Sequence, residues 1–274
     1  MAVLVVSASL VAQSDREIHH RNKPADAAEL AAITERGRAI VAYDKVAWHA
    51  TDAVFELPGA KDLVGMYIGR KTDAGWVVAF GKLNEAKDVF LLAYETDPTG
   101  DVFHPHVVVH SPALEDRGEW LYEARAIDLT RQTLKFNRPY NATILKAPSD
   151  EWYVYIYPAQ TTFDTYPVGG DFRFRVSSDG RTILETRRLH AGDVVELGMK
   201  LPGGDHPALT AHDQALDDAP EDMDVANALM MGGIPMVLWG GKFIYVISAD
   251  GSASFRSRNE GSNSKKEIGR LAKP

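Results

Sequence analysis

The feature that most constrains the fold is a change of hydrophobic periodicity at Pro58-Gly59. Residues 25–57 contain no proline and a single glycine, Gly37, and their apolar side chains recur with the spacing of an amphipathic helix. Beyond Gly59 the apolar residues alternate, in short runs rich in β-branched and aromatic side chains. One long helix followed by blocks of strands predicts an α+β fold, in which the N-terminal helix packs on antiparallel sheet.

Turn-forming residues divide the rest of the chain into shorter elements. Ser178, Asp179 and Gly180 give a strong hairpin signal between two β-rich runs. The predicted elements are a meander over 65–110, a helix over 113–135, a β-rich region over 141–190, a polar loop over 198–220, a helix from Asp222 to Met231 and two strands over 234–248.

We divide the sequence into four segments. The first, 1–23, begins with an apolar run ending in small residues, which resembles a secretory signal without its basic start. It predicts a periplasmic or secreted bacterial protein; the alternative is an N-terminal strand in a cytoplasmic one. The other segments are a helix plus β-meander region (24–138), a second α+β region (139–256) and a polar tail (257–274).

Composition excludes several classes of function. The net charge is −8, from 30 basic and 38 acidic residues, and no basic block is present, which disfavours nucleic acid as a partner. No apolar run reaches the roughly 18–20 residues of a membrane span, so no integral membrane segment is expected in the mature form. With no cysteine, thiolate zinc sites are excluded, and any metal needs His and carboxylate ligands.

Two groups of residues invite a chemical interpretation. His104 and His106 share one face of a predicted strand and are candidate metal ligands, although Pro105 between them indicates an edge strand, where surface histidines are common. The acidic residues around Pro220 suit a solvated loop and a helix start, where carboxylates near free N–H groups are stabilising. No phosphate-binding glycine loop or serine-hydrolase elbow is present, and no cofactor other than a candidate zinc ion is predicted.

His212 and Asp224 lie twelve residues apart, and Asp224 lies at the start of a predicted helix that is followed by GGIP and two strands. On this pattern, roughly residues 170–250 resemble the JAB/MPN metalloprotease-like fold. That family uses the pattern H-x-H-P, seven residues, then S-x-x-D, in which two histidines and the aspartate bind zinc. Aligning the second histidine with His212 places the aspartate on Asp224 without a gap. The first histidine position holds Thr210, the proline position Asp213 and the serine position Glu221. The resemblance therefore implies His212 and Asp224 as metal ligands and leaves the motif incomplete.

Other residues could complete such a site. The candidate replacements for the missing ligand are Asp213, Asp217, Asp218 and His206. The candidate catalytic carboxylates are Glu185 and Glu196, because the family uses an upstream glutamate as base, and Glu221, at the family's serine position.

Three functions remain open from the sequence. Segments 33–57, 166–181 and 233–251 together resemble a family of uncharacterised proteobacterial exported proteins, which implies an envelope location. The first hypothesis is a non-enzymatic envelope or secreted protein with a degenerate JAB-like region. The second is a divalent-metal-dependent peptidase or isopeptidase. The third is an inhibitor or immunity-type partner of another protein, with the acidic loop 213–224 as its contact surface; the oligomeric state is not predicted.

Overall fold

A computed structural model describes residues 4–5, 19–200 and 207–256, and it confirms the predicted α+β class. Within these ranges no helix is both long and apolar enough to cross a membrane. The helices are α1 (Ala27–Phe55), α2 (Ala60–Leu63), α3 (Glu119–Gln132) and α4 (Asp222–Met230), with a short 3-10 helix at Pro148–Asp150. The strands are β1 (Leu4–Val5), β2 (Met66–Thr72), β3 (Gly75–Leu83), β4 (Phe90–Thr96), β5 (Val107–Asp116), β6 (Tyr140–Lys146), β7 (Trp152–Pro158), β8 (Thr165–Val168), β9 (Phe172–Val176), β10 (Ile183–Arg188), β11 (Val195–Gly198), β12 (Thr210–Gln214), β13 (Met236–Gly240), β14 (Phe243–Ile247) and β15 (Ala253–Arg256).

The chain forms two compact units, each built from separated segments. The first unit comprises Met1–Val41, Tyr157–Phe172 and Arg188–Pro274; the second comprises Ala42–Ile156 and Arg173–Arg187. The predicted boundary near residue 138 lies inside the second unit, between α3 and β6. Of the predicted signal-like segment, the structure describes only β1 and residues 19–23. The predicted tail, 257–274, lies outside the described residues.

The first unit contains a five-stranded sheet in the order β1-β12-β13-β14-β15. Strands β12 and β13 are parallel and are connected through α4, while β13, β14 and β15 are antiparallel to their neighbours. The prediction of a loop throughout 198–220 and of purely antiparallel sheet is therefore wrong at β12. Its sequence, TAHDQ, lacks the alternating apolar pattern because buried polar residues occupy several of its positions.

Helices α1 and α4 cover one face of this sheet. Leu30 and Ile33 of α1 and Val225 of α4 share a core with Leu238 and Tyr245 of the sheet. His212 is the cross-strand neighbour of Leu238, so it belongs to the same face, while alternate residues such as Ala211 and Val237 form a core on the other side. This register directs His212 towards α4.

A glycine permits α1 to approach the start of α4 closely. A Cβ atom at Gly37 would lie 2.5 Å from Cβ of Val225 and 2.7 Å from the carbonyl oxygen of Asp222. Beside it, Nε and Nη2 of Arg36 lie 3.0 and 2.8 Å from Oδ1 of the fully buried Asp222. The N-terminus of α4 is thus fixed against α1 by both packing and an ion pair.

The second unit contains the sheets β2-β3-β4-β5 and β10-β9-β7-β6, and the first of these is the predicted meander. The later part of α1 packs on it through Val46, Ala50 and Val54, as the sequence predicts. The predicted helix over 113–135 starts too early, because Asp116 is still paired with Phe90 in the β4–β5 ladder. Cross-strand pairing overrides the helical pattern there, and α3 begins only after Gly118.

Candidate metal centre

Three side chains of the first unit converge at the end of β12. Potential ligand atoms of His190, His212 and Asp224 all lie within 4.8 Å of one another, and this is the one group of three or more such side chains in the described part of the chain. Nε2 of His190 is 2.9 Å from Oδ1 of Asp224, and Nε2 of His212 is 3.0 Å from the same oxygen. The two imidazole rings are nearly perpendicular, at 72°, with centroids 5.6 Å apart.

Asp224 is oriented by the start of its own helix. Glu221 and Asp224 form a capping box, in which the Glu221 carboxylate accepts from the Asp224 N–H and Oδ2 of Asp224 accepts from the Glu221 N–H at 2.7 Å. The amide of Gln214 also donates to Oδ2. Because Oδ2 is occupied in this way, Oδ1 remains for His190 and His212. The acidic residues therefore serve as a helix cap and as part of the site at once.

His190 is held from behind by a second carboxylate. Its Nδ1 lies 2.8 Å from both carboxylate oxygens of Asp171, which is 1% exposed. The Leu189 N–H donates to the carbonyl of Asp171, and the Arg188 guanidinium donates to the carbonyl of His190, so the loop after β10 is fixed as well. A carboxylate that orients a histidine so that its other nitrogen faces a shared centre is the usual arrangement behind a metal-bound imidazole.

The charges of the cluster are strongly coupled. Burial disfavours the charged form of His190, but the carboxylates of Asp171 and Asp224 outweigh it and raise the pKa of His190 well above its usual value. Burial alone would raise the pKa of Asp224, yet His190 and His212 hold it well below its usual range. Nε2 of His212 is buried and, despite its 3.0 Å approach to Asp224, is not placed for a hydrogen bond with any described residue. Such a nitrogen can still coordinate a cation.

Among the predicted ligands, the structure brings His212 and Asp224 together and adds His190. The predicted replacement ligands do not belong to the group: Asp213 is exposed, Asp217 pairs with Arg21 at 2.6 Å, and Asp218 accepts the Arg21 N–H at 2.8 Å. The third candidate ligand is His190, which lies in the loop after β10.

The predicted solvated acidic loop is wrong. Asp217 and Asp218 are 5% exposed, Glu221 is 3% exposed, and Asp222 and Asp224 are fully buried. Ion pairs and a helix cap compensate the cost of burying these carboxylates. This stretch therefore offers little charged surface to a partner protein.

The predicted catalytic carboxylates are dispersed. Glu185 belongs to the second unit and lies 3.3 Å from Nε of Arg175. Glu196 is exposed on β11, and Glu221 is buried in the α4 cap. Glu221 alone is directly connected to a member of the cluster.

His104 and His106 are not part of the cluster. Strand β5 begins only at Val107, so the predicted strand over 101–110 is wrong for His104 and His106, and His104 is 86% exposed beside Asp101 at 3.1 Å. His206 lies outside the described residues.

The sequence analysis missed His190 and Asp171. Neither has a motif spacing to His212 or Asp224, since His190 is 34 positions from Asp224. The available signal was weak: a histidine at the end of a β-rich run, after Arg187-Arg188.

The comparisons with known proteins do not identify a family. No protein-family model, curated protein or solved structure matches this chain. The function of the cluster must therefore be argued from its own geometry, in which two histidines and one carboxylate form a candidate metal centre.

Proposed function

We propose that the protein is a metal-dependent hydrolase that binds one divalent cation through Nε2 of His190, Nε2 of His212 and Oδ1 of Asp224. The observation that carries this proposal is the convergence of these three atoms in front of the buried Asp171. Catalytic zinc sites commonly combine three nitrogen or oxygen ligands from the protein with one open position. Iron(II) accepts the same ligand set, so the metal is tested as well.

The distances suit a small cation after a minor adjustment. Zinc–ligand bonds of roughly 2.0–2.1 Å in a tetrahedral site place neighbouring ligand atoms about 3.3 Å apart. The two imidazole nitrogens lie 2.9 and 3.0 Å from Oδ1 of Asp224, a few tenths of an ångström short of that spacing, and all three ligand atoms lie within 4.8 Å of one another. Nε2 of His212 is buried and lies close to Oδ1 of Asp224, which supports the proposal because a cation between them would bind both atoms.

The residues behind the ligands have defined roles in this proposal. Asp171 accepts from Nδ1 of His190 and thereby directs the Nε2 lone pair to the cation. Gln214 and the Glu221 N–H keep Oδ2 of Asp224 occupied, so that Oδ1 binds. A divalent cation there would lower the pKa of a bound water to about 7 and polarise a carbonyl for attack.

The proposed substrate class is the peptide or isopeptide bond. The spacing of His212 and Asp224 supports this class through the resemblance to JAB/MPN metalloproteases, while Glu221, at the position of the family's serine, departs from that motif. In the reaction, the water oxygen bonds to the carbonyl carbon, the C–N bond breaks, and the amine leaves with a proton.

Metal content is the decisive measurement. The full chain, purified without a histidine tag, is loaded with zinc, iron(II) or manganese, passed through gel filtration and analysed by mass spectrometry beside His190→Ala, His212→Ala and Asp224→Asn. His110→Ala is the matched control, because His110 contacts Glu95 in the second unit. We expect about one metal per chain in the wild type and the control, and none in the three variants.

Activity then tests the hydrolase proposal. A panel of peptide and isopeptide substrates should be cleaved by the metal-loaded protein, and the cleavage should be lost with a chelator and in His190→Ala. Folded variants are identified by circular dichroism. Absence of bound metal in the wild type would refute the proposal and leave the non-enzymatic class, whereas metal binding without cleavage of any substrate would refute its hydrolytic part.

A further inference from the structure

The second unit, which contains none of the proposed metal ligands, has a cavity open to the surface. The cavity has a volume of about 160 Å³ and lies between α1, the start of β2 and the end of α3. Its wall is largely apolar and includes Phe55, Val64, Phe80 and Ile127. Phe55 is 40% exposed, so the cavity reaches the surface beside it. A cavity of this size accommodates a body about as large as benzene.

Two polar side chains interrupt this apolar wall. Arg131 lines the cavity, donates one hydrogen bond to the Tyr140 carbonyl at 3.0 Å, and forms no ion pair with any carboxylate in the described ranges. A guanidinium has five N–H donors, so most remain for a ligand. Tyr67 lines the same cavity. A protonated phenol has one O–H group to donate.

The charges make this wall suited to an anion. Burial and the carboxylate of Asp44 raise the pKa of Tyr67 to about 12, so the phenol keeps its proton at neutral pH. The positive charge of Arg131 acts against that rise. Arg131 is half-buried, and its positive charge is available to an anion in the cavity.

We propose that this cavity binds a small apolar monocarboxylate, with the carboxylate at Arg131 and Tyr67 and the apolar body against Phe80 and Ile127. A planar carboxylate accepts two N–H groups of a guanidinium in parallel, which gives both orientation and strength. The volume limits the body to one ring or a short branched chain. The proposal does not depend on the metal centre, because all three proposed metal ligands belong to the first unit.

Benzoate and its neutral isostere benzamide form a direct test on the full chain. Both are titrated by calorimetry and NMR in the presence of a chelator, so that coordination of benzoate to a metal is excluded. We expect saturable binding of benzoate. Benzamide should bind about tenfold more weakly, or weaker still, because it cannot form the charge-assisted pair.

Variants locate the site. Arg131→Gln should weaken the binding of benzoate by about tenfold or more and leave the binding of benzamide unchanged. Arg117→Gln is the control, because Arg117 is an exposed arginine beside Glu115. Thr51→Leu adds volume at the cavity wall and should reduce binding of both compounds. Equal affinity for benzoate and benzamide, no saturable binding, or indifference to Arg131→Gln and Thr51→Leu would each overturn the proposal. The benzamide comparison needs no variant and stands even if Arg131→Gln misfolds.

Discussion

Gly37→Ala is the substitution that best tests the packing behind the metal centre. In an unobstructed helix this change stabilises by roughly 0.5–1 kcal/mol, because glycine loses more backbone entropy on folding. Here the added methyl group would lie 2.5 and 2.6 Å from Cβ and Cγ1 of Val225 and 2.7 Å from the backbone oxygen of Asp222. Overpacking of this kind costs about 1–3 kcal/mol, and the backbone oxygen cannot rotate away as a side chain could.

We therefore expect Gly37→Ala to lower the free energy of unfolding by about 1–2 kcal/mol net. That corresponds to a fall in melting temperature of roughly 2–8 °C, measured by circular dichroism. Since the clash lies at the start of α4, Asp224 should also be displaced and metal retention reduced. Glu35→Ala, at an exposed position two residues earlier on α1, is the control and should change stability by no more than about 0.5 kcal/mol.

A double-mutant cycle isolates the contact. Val225→Ala removes the Cγ1 atom that the new methyl would meet, so its cost should be smaller in the Gly37→Ala background than in the wild type. The reasoning is refuted if Gly37→Ala is at least as stable as the wild type, or if the two substitutions are strictly additive. In either case the close approach of α1 and α4 would not be what the glycine provides.

Two further predictions concern buried carboxylates. Asp171→Asn should weaken metal binding by about 10–100-fold while the fold is retained, because His190 loses the acceptor that orients it; an unchanged affinity in a competition titration would remove Asp171 from the site. Burial, opposed by Arg70, raises the pKa of Glu123 to about 7 from 4.5. The folded state therefore retains this proton longer than the unfolded state, so the protonated carboxyl contributes stability that is fully present below pH 4.5 and lost as the pH rises through 7. The free energy of unfolding of Glu123→Gln, relative to that of the wild type, should therefore rise by on the order of 3 kcal/mol between about pH 5 and 8. Denaturant titrations at several pH values measure this difference. A difference that does not change with pH would show that Arg70 keeps Glu123 ionised.

Local patterns were sufficient for part of this fold. The helix α1, the hairpin between β9 and β10, and the helix α4 all follow from periodicity and turn chemistry within a few residues of one another. Strand β12 could not be found in this way, because it is short and polar and its pairing partner β13 begins 26 positions after Thr210. Where long-range pairing decides the structure, the local signal is too weak.

The candidate metal centre was likewise predictable only where its residues are close in sequence. His212 and Asp224 are linked by a short spacing on consecutive elements, so a motif comparison could pair them. His190 enters from a loop whose position depends on the Asp171 contacts and on the Arg188 hydrogen bonds. No short spacing encodes that geometry, and a motif search that requires neighbouring ligands finds only two of the three candidate ligands.

Three buried carboxylates of the acidic stretch, Asp217, Asp222 and Asp224, differ in whether a metal ion could replace their partners. Asp217 pairs with Arg21 and Asp222 pairs with Arg36, and a guanidinium keeps its charge and has no lone pair to offer. The side chains next to Oδ1 of Asp224 are two imidazoles instead. A neutral imidazole nitrogen is itself a metal ligand, so a divalent cation can replace protons between Asp224, His190 and His212 without leaving a buried charge unpaired. Arginine therefore occupies the carboxylates of Asp217 and Asp222, whereas the carboxylate of Asp224 can bind a metal cation.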